Sequence, residues 1–317
     1  MSQHDMNVAN GPGLTFRTDM NQALVALASQ SSGPSAPSPS FPCQVWGDTG
    51  TGRLKQRNSA NTLWIDRGQL DAAQSTVVVG ETRNGRMSVA AASATATYSA
   101  DEVVVKTDLG GQALQISGFS QTINLATTGT NGMDTGLAPV SGYVAIYVIS
   151  TIGGVARLLG VNATSAVAPE IYAGANMPSG YVASALVSVV PTNASRQFKV
   201  FSQIDRSISL PGAQVFSGGT GGLSLQSFSL AAAVPFNAIS ISGNLTNSSS
   251  SASNVGMTIS SNSAGTSAQN VSGTVVAGGA INGSFAIDVA VAQTAYVSTT
   301  NTAGTPAFTI SVTRYSI

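Results

Sequence analysis

Apolar positions recur at two spacings in this 317-residue chain, three and four near its start and two almost everywhere beyond. Met20, Ala23, Leu24 and Leu27 form a stripe that predicts a short helix within residues 18–33. Thr18 and Asp19 stand where a cap belongs. Residues 1–17, rich in Asn, Gly and Pro, read as an extended arm. Pro34, Pro37, Pro39 and Pro42 exclude helix beyond Gly33 and make a semi-rigid spacer. Gln44–Trp46, Arg53–Arg57 and Thr62–Asp66 then predict three short strands, a meander inside residues 34–71 that is too small to stand on burial alone. From 72 to 206 the pattern is strands throughout. Val103–Val105 is a short buried run, and Leu114 and Ile116 share a face. Residues 143–161 read as a hairpin closed by Gly153-Gly154, and residues 181–202 as a second hairpin. Gly218–Gly222 marks a Gly-rich linker over 207–222. A last β domain over 223–317 carries Phe285, Ile287, Val289 and Val291 on one face of a strand, and Phe308, Ile310 and Val312 on one face of another. The predicted fold is mainly β: a short N-terminal helix and three-stranded meander, followed by two β-sandwich-like domains.

Charge changes this picture because there is so little of it. Charged residues make up 8% of the chain, 13 basic against 13 acidic, for zero net charge. Six of them, with both tryptophans (Trp46 and Trp64), crowd into residues 46–67. From Ser207 to Ile317 only Asp288 and Arg314 are charged. No basic stripe exists to neutralise a phosphate backbone, so nucleic acid is an unfavoured partner. The longest apolar run, Tyr143–Ile149, is too short to span a bilayer. The start, MSQHDMNVANGPG, lacks the basic and apolar pattern of a secretion signal. The single cysteine, Cys43, excludes an intrachain disulfide and suits assembly in a reducing cytoplasm.

Chemistry has few carriers. His4 is the only histidine, so a triad or multi-histidine metal site within one chain is close to excluded, and no cofactor or metal is expected. The acids worth weighing as a glycan-cleaving pair are Asp101, Glu102, Asp134 and Glu170, yet neighbours such as Asp101 and Glu102 face opposite sides of a strand. The chain is therefore read as a non-enzyme. Arg53, Lys55 and Arg57 share one strand face, open either to docking against acids of a larger body or to plain solvation. Trp46 and Trp64 read as braces of the meander. The Met20, Leu24, Leu27 stripe is open between self-association and packing on the meander.

The stretch from Thr18 to Asp71 resembles an N-terminal module of tail-fibre and related appendage proteins of tailed bacteriophages. The resemblance rests on Asp19-Met-Asn-Gln-Ala-Leu24, Ala28-Ser-Gln-Ser-Ser-Gly33, Pro42, Trp46, Asp48-Thr49, Gly52, Leu54-Lys55, Arg57-Asn58, Ala60-Asn61-Thr62, Trp64-Ile65, Gly68 and Leu70-Asp71. Residues 117–205 are similar to a β domain of such proteins, through Gly118-Phe-Ser-Gln121, Gly132-Met-Asp-Thr-Gly136, Ala138–Tyr143, Gly174–Pro178 and Pro191-Thr-Asn193. The resemblance implies a virion structural protein: a homo-oligomeric fibre, a trimer by preference, whose N-terminal module fixes it to tail or head proteins. It makes Met20, Leu24, Leu27, Trp46, Arg53, Lys55, Arg57, Trp64 and Asp66 candidate docking residues. The C-terminal domain would meet host surface glycan or protein, with Tyr296 and Tyr315 as candidate receptor contacts if they do not simply finish strand faces in the core. A head-mounted fibre or decoration protein is the alternative address, and a glycan-cleaving tailspike the enzymatic one.

Overall fold

A computed structural model describes residues 3–70 and 77–317. The chain divides into two compact units, Met1–Thr76 and Val77–Ile317. The boundary expected between residues 71 and 72 lies outside the described residues. The fold is mainly β, with one N-terminal helix and a three-stranded antiparallel sheet ahead of larger sheets.

In the first unit, α1 (Gly13–Ala28) begins five residues before the expected start. The Pro12 carbonyl accepts the Phe16 N–H at 3.0 Å, and proline's fixed φ suits a helix entrance. Thr18 and Asp19 therefore lie inside the helix and cap nothing. The Asp19 carboxylate serves the preceding segment instead, 2.7 Å from His4 Nε2 and accepting the Ala9 N–H at 3.1 Å. His4 Nδ1 accepts the Met6 N–H, which leaves Nε2 as the nitrogen that donates to Asp19. The supposed extended arm thus folds back on α1 and buries the His4 side chain. The helix stops at Ala28, five residues short of Gly33, because Ser29 bonds back to Val25 and because Gln30 and Ser31 adopt left-handed backbone. Its buried residues are the small Ala23 and Ala26.

The meander consists of β1 (Val45–Asp48), β2 (Arg53–Arg57) and β3 (Trp64–Gln69) in sequential antiparallel order. An extra residue on β3, Arg67, bulges the β2–β3 pairing between Leu54 and Lys55.

The second unit continues with β4 (Thr82–Arg83), β5 (Arg86–Val89), β6 (Thr95–Lys106), β7 (Ala113–Asn124), β8 (Gly132–Met133), β9 (Tyr143–Ser150), β10 (Ala156–Asn162) and β11 (Ala183–Pro191). Next come β12 (Phe201–Ile204), β13 (Ser207–Gly218), β14 (Gln226–Ser229), β15 (Ser240–Ser249) and β16 (Ser253–Ser260). The last are β17 (Gln269–Val275), β18 (Ala280–Asp288), β19 (Thr294–Asn301) and β20 (Pro306–Ser316). A 13-stranded sheet runs β18-β15-β20-β13-β12-β5-β6-β11-β9-β10-β8, with β4 and β7 both paired to β6. A four-stranded sheet runs β14-β19-β16-β17.

The continuous apolar runs read from the sequence become β9 and β11, buried at every residue. The β9–β10 hairpin forms as expected. The second hairpin closes only at its turn, where Lys199 N–H bonds the Pro191 carbonyl; β12 then leaves to pair with β5 and β13.

The linker expected over 207–222 is corrected by β13. Its residues 207–209 pair with β12 on one side, and along residues 207–218 it pairs with β20 on the other, so many backbone groups that a flexible joint would leave to water are satisfied within the sheet. The two β regions share one apolar core. Arg206 forks onto Glu170 at 2.7 and 2.8 Å and bonds the Ile317 carbonyl. Tyr143 Oη donates to the Ala231 carbonyl at 3.0 Å, and Asn237 exchanges two hydrogen bonds with the Ala168 backbone.

Candidate functional site

Six of the nine candidate docking residues meet on one face of the meander. Cross-strand register places Trp46 opposite Lys55, Asp48 opposite Arg53, Lys55 opposite Asp66, and Arg57 opposite Trp64. Residues directly opposite on an antiparallel pair point to the same side. The face is therefore a lattice of two indoles, three cations and two carboxylates.

Each contact in it is internal. The tryptophan rings meet edge to face with centroids 5.3 Å apart, and Trp46 Nε1 donates to the Gly33 carbonyl at 3.0 Å, tying the sheet to the chain that precedes it. Lys55 Nζ lies 4.9 Å from the Trp46 ring, and the Arg57 guanidinium 5.3 Å from the Trp64 ring, both within cation–π range. Lys55 Nζ also donates to Asp48 Oδ2 at 2.6 Å. Asp48 accepts further bonds from the Thr51 hydroxyl and from the Gly50 and Thr51 N–H groups, and its side chain is 3% exposed. Those donors, Lys55 first, hold its carboxyl down at about 2. Arg53 Nε donates to Asp66 Oδ2 at 2.8 Å, and this bond is the main reason Asp66 lies below the usual carboxylate range. Arg57 grips the Asn61 side-chain and main-chain oxygens at 2.8 and 2.9 Å.

Arg53, Lys55 and Arg57 already have partners in their own chain, because a three-stranded sheet with little core needs side-chain bonds across its surface. Trp46 and Trp64 are braces, as their spacing indicated. Asp48, which sequence reasoning passed over, is the most heavily bonded group of the face. Its signal was visible in Asp48-Thr-Gly-Thr-Gly52, where Asp at the head of a turn accepts the N–H groups that follow.

Outward-facing surface lies elsewhere in this unit. Met20, Leu24 and Leu27 are 37%, 55% and 60% exposed, and Leu14, Phe16 and Val25 are exposed beside them on α1. The bulky stripe does not pack on the meander. A helix showing this much apolar surface is the pattern of a contact site.

The acids weighed as a catalytic pair are engaged separately. Asp101 accepts from Asn84, Asp134 from the Tyr172 hydroxyl at 3.0 Å, and Glu170 from Arg206. Glu102, at the β4 pairing with Arg83, is exposed. Among the described residues no group of three or more His, Cys, Asp or Glu side chains could hold a metal ion, and no helix is long and apolar enough to cross a membrane.

The receptor candidates divide. Tyr296, on β19, is half-buried. Tyr315 is completely buried; its hydroxyl donates to the Val189 carbonyl at 2.6 Å, and burial drives its pKa well up. Tyr315 is thus no surface contact, and the reason is a one-residue irregularity. Phe308, Ile310 and Val312 face the core, and strict alternation would send Arg314 inward and Tyr315 outward. Thr313 is an extra residue: Arg314 pairs with Ser242 while Val312 pairs with Gly243. That bulge reverses the phase.

No protein-family model and no curated protein matches the chain. Among solved structures it is similar to the insecticidal crystal protein Cry2Aa, at 12% identity and a TM-score of 0.21 over 75% of this chain. An exo-β-1,3-galactanase from Phanerochaete chrysosporium gives 10% identity and a TM-score of 0.19 over 86% of it. Infectious bursal disease virus, Gx strain, gives 11% identity and a TM-score of 0.18 over 76%. The chain spans 51%, 64% and 70% of those three chains. Likenesses this faint carry no functional argument.

Proposed function

We propose that this protein is a structural component of a bacteriophage virion, a homo-oligomeric fibre. Its first unit attaches to the particle, and its β-rich second unit meets the host surface. The observation that carries this reading is the division of labour within the first unit. The meander resembling the appendage module is closed on itself by tryptophan and ion-pair contacts, while α1 beside it offers bulky apolar side chains to solvent. A small body that rigidifies one element and leaves another apolar and uncovered is built to be held by something else. Attachment on this reading is chiefly apolar, through Leu14, Met20, Leu24 and Leu27, with the charges preserving shape. Three copies associating through α1 and docking together onto a tail or head protein would cover that surface.

The test is incorporation. Particles produced with a chain lacking residues 1–70 should contain almost none of it by mass spectrometry of purified virions; normal copy number would overturn the reading. Light scattering on the purified full chain should give a multiple of the monomer mass.

A further inference from the structure

Asp288 and Arg314, the only charged residues among the 111 from Ser207 to Ile317, line the same surface basin. It has a volume of about 250 Å³ and lies over the exposed face of β18, β15 and β20. Ser240 stands between Asp288 on β18 and Ser316 on β20; Ser242 stands between Ala286 and Arg314. Ile241, Ile287 and Tyr315 turn into the core from the same strands.

The groups facing this basin are largely uncommitted. Among the described residues the Asp288 carboxylate accepts no hydrogen bond and forms no ion pair with Arg314. Arg314 uses only Nε, on Ser209 Oγ at 3.2 Å, leaving both terminal nitrogens available. Among the described residues no hydrogen bond occupies the hydroxyls of Ser240, Ser242 and Ser316. Ala286, which lines the basin, is held on its other side by Gln269, whose Nε2 donates to the Ala286 carbonyl at 2.7 Å and whose Oε1 accepts the Ala286 N–H at 3.0 Å.

The backbone is shaped for this arrangement. The Thr313 bulge is what brings Arg314 to the outer face. It requires a residue without a side chain opposite, since a Cβ at Gly243 would fall 1.9 Å from the Ser311 carbonyl oxygen. Bulges of this kind re-aim side chains at functional sites.

We infer that this basin is a saccharide-binding site that takes one neutral, hydroxyl-rich ring. The carboxylate accepts from ring hydroxyls, the guanidinium donates to them, and the serines do either. One negative and one positive charge make the floor neutral overall, so Asp288 disfavours an anion and Arg314 a cation. The volume is below the range of drug-sized pockets, about 300–1,000 Å³, and suits a single unit of a longer glycan. This assignment rests on the host-surface reading of the second unit and gives it a ligand class.

The experiment is a nuclear magnetic resonance titration of the isotope-labelled full chain with D-glucose, D-galactose, D-mannose and N-acetylglucosamine. At least one sugar should shift amide signals confined to residues 240–242, 286–288 and 314–316. Asp288→Asn and Arg314→Gln should each weaken that binding about tenfold or more, as expected for a lost hydrogen bond to a charged group, with an unchanged melting temperature. Shifts from none of the sugars, shifts elsewhere, undiminished binding in both variants, or stronger binding of zwitterionic glycine would overturn the assignment. Adsorption of the full chain to host cells reads the broader proposal separately. Adsorption undiminished in the Asp288→Asn/Arg314→Gln double variant would sink the basin and leave host recognition standing.

Discussion

The meander and the outer face of β18, β15 and β20 handle charge in opposite ways. The meander crowds charges together and gives them partners within the chain: Lys55 on Asp48, Arg53 on Asp66, Arg57 on Asn61 and Trp64. The other face has two charges, keeps them apart across β15, and leaves their acceptor and donor groups turned outward. Density of charge in the sequence thus does not mark where uncommitted polar groups lie in this protein. What matters is whether a charged group has a partner in its own chain. A small sheet uses ions as fasteners because it lacks interior, whereas the second unit, with a full core, uses ions sparingly, as where Arg206 forks onto Glu170.

The comparison can be broken most severely at the phase of β20. Inserting one alanine between Arg314 and Tyr315 should shift the phase once more and turn Tyr315 outward, destabilising the second unit by more than about 4 kcal/mol or preventing its folding. Urea unfolding of that unit checks it, and near-native stability would refute the phase account. Gly243→Ala tests the same bulge by placing a Cβ against backbone, and should also lower the unfolding midpoint.

In the meander, Trp46→Ala should cost about 3–5 kcal/mol through loss of a buried indole and its bond to Gly33. The readout is unfolding of the first unit followed by Trp64 fluorescence.

Asp48→Asn should cost about 1–3 kcal/mol, because Lys55 loses its charged acceptor. It also carries a pH signature. The folded carboxyl titrates at about 2 against an ordinary 3.8, so its contribution is complete above about pH 4 and disappears as pH falls through 2. The acid limb of a stability–pH curve should be shallower in the variant. An identical limb would show that the Lys55 pair does not contribute.

Arg53→Ala removes a half-exposed pair and should change stability by less than about 1 kcal/mol, less still at high salt. Leu24→Glu with Leu27→Glu should change the stability of the first unit by no more than about 0.5 kcal/mol, since both side chains face solvent. The same double variant should sharply reduce incorporation into particles, which separates a contact surface from a packing surface.

Period-two alternation located the meander strands to within three residues and correctly paired Trp46 and Trp64 as braces. Alternation could not say where the cations go, since that depends on which residue of the next strand lies opposite, and register is set by turns and bulges. Tyr315 shows the limit most clearly: its neighbours Phe308 to Val312 read correctly, and one inserted residue inverted the reading beyond them. The helix start at Gly13 was hidden because Asp19 looks like a cap and instead holds His4 and Ala9, a contact set by chain folding back from a distance. Gly218–Gly222 looked like a joint, yet the residues before it run as a strand paired with β20.

The Gln269 carboxamide has a consequence beyond its hold on Ala286. Ala286 lies on β18, an outer margin of the 13-stranded sheet, where no further strand supplies a donor and an acceptor. Gln269 presents both from one side chain, imitating the peptide group of a neighbouring strand. A sheet so wide and so poor in repelling charge would otherwise invite another molecule to add on and keep adding. By occupying that margin at Ala286, a single amide works against runaway polymerisation.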